Sequence, residues 1–380
     1  MIRNHFVFLL TLLVFVNTAT AANKILLPAA PSVAAKSYVL LDFNSGKVLA
    51  EKNADIKLAP ASLTKIMTVY VVFRELKSGH LTLDEKVTIS KKAWRTPGSR
   101  MFVEVNKQVA VEDLLKGVII QSGNDASVAL AEHVAGDEAT FAAMMNQHAE
   151  RLGMLDTSFE NSMGLPSENH FTTARDLAKL TTAVISEFPD YYKWDGEKEF
   201  TFNNITQPNR NKLLWRDKSV DGVKTGYTEE AGYCMVASAK RDEMRLISVV
   251  MGTSSANARA NESQTLLNYG FRFYETHRLY QDHEAVSTVK VWKGNAKELP
   301  VGLMDSLYVT IPRKHYNDLK AELNVDKKII APVQEGDSLG SVNVSLAGEV
   351  IVNQPLVALK SIEEGGLIDK LYDEAMLLLE

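Results

Sequence analysis

Ser62-Leu63-Thr64-Lys65-Ile66-Met67-Thr68-Val69-Tyr70-Val71-Val72-Phe73-Arg74-Glu75-Leu76 is a largely apolar run with Pro60 before it and Gly79 after it. Those boundaries predict a buried helix. On a helix, residues i and i+3 share a face, so Ser62 and Lys65 meet near its N-terminal end, where the helix dipole favours negative charge. A serine hydroxyl is a weak nucleophile until a base takes its proton, and Lys65 is the base that the local geometry supplies. The same spacing recurs at Ser287-Thr288-Val289-Lys290, inside an alternating stretch that reads as a strand. Residues three apart on a strand point to opposite faces, so that second pair is not competent.

Two further elements complete a chemistry. Ser122-Gly123-Asn124 separates the apolar runs 114–120 and 126–134. A glycine-containing break between two helices can push a hydroxyl and an amide into a cleft. Ser122 then relays a proton to a leaving amine, and Asn124 bonds a substrate backbone amide. Lys224-Thr225-Gly226 reads as part of a strand beginning near residue 220. Lys224 and Thr225 suit a carboxylate, and Gly226 lets substrate backbone lie close. Lys65 acts as a base only when neutral, which requires burial or a nearby cation, and Lys224 is that cation. The backbone N–H groups of Ser62 and Tyr227 would form an oxyanion hole. Each short motif alone is weak: Ser167-Glu168-Asn169, Ser255-Ala256-Asn257 and Ser341-Val342-Asn343 also fit S-x-N.

Two early strand-like runs (37–43 and 47–50, joined by Asn44-Ser45-Gly46) and three late ones (from 220, 232–239, 244–251) bracket a mostly helical stretch from 60 to 190. A helix is expected at 256–275. This predicts an α+β fold: an antiparallel sheet flanked by helices, with an all-α insertion. Beyond 280, short strand-like segments predict a small all-β domain. The expected organisation is therefore 1–21, 22–280 (catalytic), 281–364 (β-rich) and 365–380.

The chain has 380 residues, 46% of them hydrophobic, enough for one large core and a second. Its net charge of −5 and lack of basic runs give no sign of a nucleic-acid partner. Arg3 and His5 precede the apolar run 6–16, and small residues up to Ala21 follow, as in a secretory signal peptide. Export to the periplasm or the outer face of the cytoplasmic membrane is the expectation. The single cysteine, Cys234, lies in an apolar strand-like run and reads as a buried structural thiol. The eight histidines show no ligand spacing, and no nucleotide-binding loop occurs, so neither metal nor cofactor is expected.

The S-x-x-K, S-x-N and K-T-G set resembles that of the penicillin-recognising serine enzymes. More closely, Pro60 to Thr68, Gln121 to Ala126, Val220 to Gly226, and Gly164-Leu165 followed by His170 to Ala178 resemble segments of the low-molecular-mass penicillin-binding proteins that are D-alanyl-D-alanine carboxypeptidases. The resemblance spans nearly the whole chain. It implies the transpeptidase/β-lactamase-like fold, peptidoglycan stem peptides as substrate, hydrolysis of the terminal D-Ala-D-Ala bond, and acylation of Ser62 by β-lactam antibiotics. It also implies that Arg259, and less directly Arg210, help hold the substrate carboxylate.

Two departures stand out. Tyr227 follows the K-T-G triplet where some relatives carry His. The last segment has helical periodicity (Leu367, Ile368, Leu371, Tyr372, Ala375, Leu378, Leu379), but Asp369, Asp373, Glu374 and Glu380 outnumber Lys370. Acidic heads are repelled by anionic lipid, so peripheral membrane anchoring competes with a partner-docking or truncated helix. Among rival enzymes, a class A β-lactamase shares the three motifs, yet no convincing E-x-x-L-N segment lies between Ser122 and Lys224. A non-catalytic sensor would not need Lys65 and Ser122, and an endopeptidase would use the same machinery.

Overall fold

The computed structural model describes residue 25 and residues 27–378. The expected signal peptide, Leu379 and Glu380 lie outside the described residues. The chain opens with a hairpin, β1 (Ser37–Asp42) and β2 (Val48–Lys52). A 3-10 turn, Ala61–Leu63, leads into α1 (Thr64–Ser78), which ends at Gly79 in the left-handed conformation. The insertion then runs through β3 (Lys86–Thr88), α2 (Lys91–Arg95), β4 (Gln108–Ala110), α3 (Val111–Lys116), α4 (Asn124–Ala135), α5 (Glu138–Arg151), α6 (Ala174–Glu187) and α7 (Pro189–Tyr192).

Next come a hairpin, β5 (Glu199–Phe202) and β6 (Ile205–Pro208), and the short α8 (Leu213–Arg216). The long strands β7 (Val220–Thr228), β8 (Gly232–Arg241) and β9 (Met244–Thr253) follow, and α9 (Ala256–Phe273) closes this part. The sheet has the order β2-β1-β9-β8-β7, every neighbour antiparallel. The early hairpin thus joins the late meander edge to edge, and the helical insertion packs on one face while α9 covers the other.

The fold is the expected α+β one, with two differences. The two-stranded pairs β3·β4 and β5·β6 interrupt stretches without strong alternation, because each pair is only three or four residues long and half-exposed. Residues 152–173 form a long, mostly irregular connection rather than helix. Asn161 organises part of it: its Oδ1 accepts from the N–H groups of Met163, Gly164 and Leu165 at 3.2, 2.7 and 3.1 Å.

The remaining strands are β10 (Tyr274–Tyr280), β11 (Ala285–Lys290), β12 (Glu298–Gly302), β13 (Leu307–Pro312), β14 (Leu319–Val325), β15 (Ser338–Leu346) and β16 (Glu349–Ala358). They enclose their own apolar core, including Val291, Leu299, Val342 and Leu356. Ser287 and Lys290 sit on β11, so the second S-x-x-K is a strand as expected. Cys234 is fully buried on β8, and burial pushes its thiol up to about 11, which suits a structural thiol.

The last helix, α10 (Leu367–Leu377), turns one of its acids, Asp373, inward. Asp373 is buried and accepts from Lys297 Nζ at 2.9 Å and from the Lys293 N–H, while Glu374 pairs with Lys293. Leu367, Ile368, Leu371, Tyr372 and Leu378 are left exposed. The expectation that acidic heads dominate this helix's outer surface is therefore corrected for Asp373, while Glu374 stays exposed and is paired with Lys293.

Candidate active site

Ser62 sits in the 3-10 turn, two residues before the start of α1. That turn is shaped by close contacts. Ala61 has φ 48°, and Gly164, at φ 87°, approaches so near that any Cβ there would overlap the Ala61 carbonyl. Gly226 of β7 presses on the other side: a Cβ there would stand 3.1 Å from Pro60 O and 3.2 Å from Ser62 N. Gly226 thus lets the strand dock on the serine turn. The expected close approach of substrate backbone is replaced at this position by the protein's own chain.

Lys65 is 1% exposed. Its Nζ lies 3.1 Å from Ser62 Oγ, 2.7 Å from Asn124 Oδ1 and 2.8 Å from Met163 O. A neutral amine has two N–H donors and one lone pair. The two carbonyl-type oxygens can only accept, so they take both donors, and the lone pair remains for the Ser62 hydroxyl. Burial holds Lys65 well below the usual amine range, and the charges of Lys224 and Arg210 act in the same direction.

Asn124 opens α4, following a π-helical turn, Gly117–Gln121, and Ser122 in the left-handed conformation (φ 65°). Each end of its amide has one internal partner, since Nδ2 donates one of its two hydrogens to Pro97 O at 2.6 Å. Asn124 thus orients Lys65, and its second Nδ2 hydrogen has no partner among the described residues. Ser122 Oγ is buried and unpartnered, at the edge of the cleft.

The open cleft encloses about 290 Å³ and is lined by Ser62, Ser122, Arg210, Thr225, Tyr227 and Arg259, among others. Arg259 Nη1 donates to Gly226 O at 2.8 Å, and Arg210 Nε donates to Gln121 O at 3.1 Å. Among the described residues neither guanidinium has an ion-pair partner within 4.0 Å. Tyr227 is half-exposed and stacks on Tyr233, with ring centroids 4.2 Å apart. Arg259 lies over the other ring of that stack, 5.6 Å from its centroid. Lys224 differs from its neighbours. It is 5% exposed, points behind the cleft rather than into it, and is lowered to about 7 by burial and by Arg210 and Arg259. Thr225, Arg210 and Arg259 line the open cleft, whereas Lys224 borders the space behind it.

Two supporting groups have roles that the sequence does not announce. Met163 acts through its carbonyl, which no side-chain pattern announces. His170, deep in the core, accepts at Nδ1 from the Glu160 N–H (3.0 Å), which puts its proton on Nε2 facing Thr64 Oγ1 (2.8 Å). The glycine and polar residues around 161–170 are the signal that this loop is built to support something.

Comparison with known proteins agrees with this geometry. The family profile described as D-alanyl-D-alanine carboxypeptidase matches residues 24–255, and that of the penicillin-binding protein 5 C-terminal domain matches 274–364. The chain is 46% identical over 374 residues to D-alanyl-D-alanine carboxypeptidase DacC of Escherichia coli K12, covering 96% of this chain and 93% of that one. It is 41% identical over 375 residues to DacA of the same strain, with the same coverage. The solved penicillin-binding protein 5 of Haemophilus influenzae superposes with a TM-score of 0.85 at 41% identity, over 89% of this chain and all of that one. Penicillin-binding protein D2 of Listeria monocytogenes, solved in its ampicillin-bound form, superposes with a TM-score of 0.59 at 30% identity, over 63% of this chain and 98% of that one. A base-ready lysine behind a turn-held serine, in a chain alike over nearly its full length, makes this protein a member of the D-alanyl-D-alanine carboxypeptidase family of penicillin-binding serine peptidases.

Proposed function

We propose that this serine-type D-Ala-D-Ala carboxypeptidase removes the terminal D-alanine of peptidoglycan pentapeptide stems through an acyl-enzyme on Ser62. Lys65 takes the Ser62 proton as Oγ attacks the carbonyl of the scissile bond. The N–H groups of Ser62 and Tyr227 receive the oxyanion. Ser122 passes the proton from Lys65 to the departing D-Ala amine. Water then attacks the ester with the same lysine as base and frees the shortened stem. Thr225, Arg210 and Arg259 hold the terminal carboxylate, and Gly226 keeps the strand against the serine turn. Lys224 supplies positive charge from beneath. Penicillins carry a carboxylate and a strained amide in matching positions, so they acylate the same serine.

The observation that carries this reading is the partner set of Lys65, whose two acceptors leave its lone pair for Ser62. The test is intact-protein mass spectrometry after penicillin exposure, paired with D-Ala release from a pentapeptide. A Ser62 adduct together with released D-Ala supports it; an adduct that survives in Ser62→Ala overturns it.

The family frame also supports an exported enzyme, with residues 1–21 removed, a catalytic unit at 22–280, a β-rich unit at 281–364 and a terminal helix at 365–380. The exposed apolar residues of α10 suit peripheral contact with the lipid surface; among the described residues no helix is long and apolar enough to cross a membrane.

A further inference from the structure

Behind the cleft lies a second, closed space of about 10 Å³, bordered by Lys65, Lys224 and Asp195 and otherwise walled by apolar side chains such as Val118, Ile119 and Val223. That is about the room one water needs. Asp195 belongs to the 3-10 turn Lys193–Gly196 and is 5% exposed. Its Oδ2 is buried without a partner. The turn is tied down: Asn209 Nδ2 donates to Asp195 O at 3.4 Å and to Glu197 O at 3.0 Å. It also packs against β7 at Gly222, where a Cβ would lie 3.2 Å from the Asp195 Cβ. The carboxyl is thus fixed at the rear of both lysines.

Only one of those lysines has donors to give. The three contacts of Lys65 are accounted for by Ser62, Asn124 and Met163. Lys224 Nζ donates to Thr225 O at 3.3 Å, leaving two donors of an ammonium unassigned. Asp195 and Lys224 are beyond 4.0 Å for a direct ion pair, and the space between is of the size for a single bridging water.

We propose that Asp195 is a positioning residue for the reaction: through one water in this closed space it holds Lys224 as the ammonium, which keeps a positive charge beside Lys65 and leaves Lys65 neutral. The inference rests on the reading of Lys65 as the base. The surrounding charges bear on it from each side. Arg210 and Arg259 oppose a proton on Lys224, and Asp195 favours one. Asp221 repels the Asp195 charge but is itself bound by Tyr192 Oη (2.9 Å) and by Arg245 (2.8 Å). Asp125, beyond Asn124, acts on Lys65, and its carboxylate oxygens accept from four backbone N–H groups. Burial pushes the Asp195 carboxyl well above the usual carboxylate range and Lys224 only partly opposes it, so the pair stays ionised through the hydrogen bonds of the bridging water. Each charge favours the other, and the water supplies the hydrogen bonds that direct contact does not.

The test is the pH profile of the penicillin acylation rate for Asp195→Asn, a nearly isosteric change. The basic limb should move down by about one pH unit, because Lys224 loses its proton more readily, while a merely structural role would lower Tm and leave the profile in place. An unshifted limb overturns the inference. Should the variant not fold, NMR titration of 13C-labelled aspartate in the native enzyme decides: a buried carboxyl signal ionised between pH 6 and 8 supports it, and a protonated one overturns it. Lys65→Ala run in parallel separates the two readings. Normal acylation without Lys65 sinks the base assignment, whereas an inactive Lys65→Ala with an unshifted Asp195→Asn sinks the Asp195 role alone.

Discussion

The amide oxygen of Asn124 lies 2.7 Å from Nζ of Lys65, so the second motif of the site reaches the first through Asn124 while its Ser122 borders the cleft. A neutral acceptor at this distance orients an amine without adding charge. A carboxylate in the same place would instead stabilise the ammonium.

Asn124→Asp should accordingly raise the proton affinity of Lys65 and slow acylation at pH 7 by roughly 10- to 100-fold. The acid limb of the acylation profile should move to higher pH. A profile that falls in amplitude without moving would mean that Asn124 acts on something other than the lysine.

Lys65→Ala should slow both penicillin acylation and D-Ala release by about three orders of magnitude or more, with Tm little changed or raised. Removing a buried amine relieves desolvation, so activity and stability should part company. Stopped-flow acylation and calorimetry on one preparation check this.

Gly226→Ala places a methyl group 3.1 Å from Pro60 O and from the Ala61 Cβ. The strand or the serine turn must shift by a few tenths of an ångström, which moves the Ser62 and Tyr227 N–H groups relative to each other. The expected outcome is a loss of roughly 100-fold in kcat with a smaller change in KM, measured on a D-Ala-D-Ala peptide. A change confined to KM would place the glycine's role in ground-state binding.

His170 is buried and neutral, its proton affinity lowered to about 4 by desolvation. In the unfolded chain it titrates near 6.5. Its folded value lies below its unfolded one, so its contribution is complete above pH 6.5 and is lost as pH falls from there towards 4. The whole effect is on the order of 3 kcal/mol. His170→Gln should flatten the dependence of Tm on pH across that window, and an unchanged slope would assign the acid sensitivity to other groups.

The apolar residues of α10 should bind vesicles. Leu371→Asp combined with Ile368→Asp should abolish co-sedimentation with anionic liposomes while leaving D-Ala release from a soluble peptide intact. Undiminished sedimentation would sink the membrane reading of this helix.

Much of this protein is legible along the chain, because the decisive patterns are local. Helical spacing pairs Ser62 with Lys65, alternation removes Ser287 and Lys290 from contention, and strand-like runs at both ends of a helical stretch foretell the sheet. Chemistry of this kind depends on residues three positions apart, and backbone periodicity alone sets their directions. What the tertiary structure decided is where each side chain's remaining valence points. Whether Asn124 faces substrate or lysine, whether Gly226 admits a ligand or a neighbouring turn, and whether the acids of α10 face solvent or Lys293 and Lys297 depend on contacts between residues tens of positions apart. Asp195 is the extreme case. Nothing adjacent to it in sequence distinguishes it from a surface acid, and only the packing of its turn against β7 buries it behind two lysines, because burial is a property of the assembled layers and not of any segment.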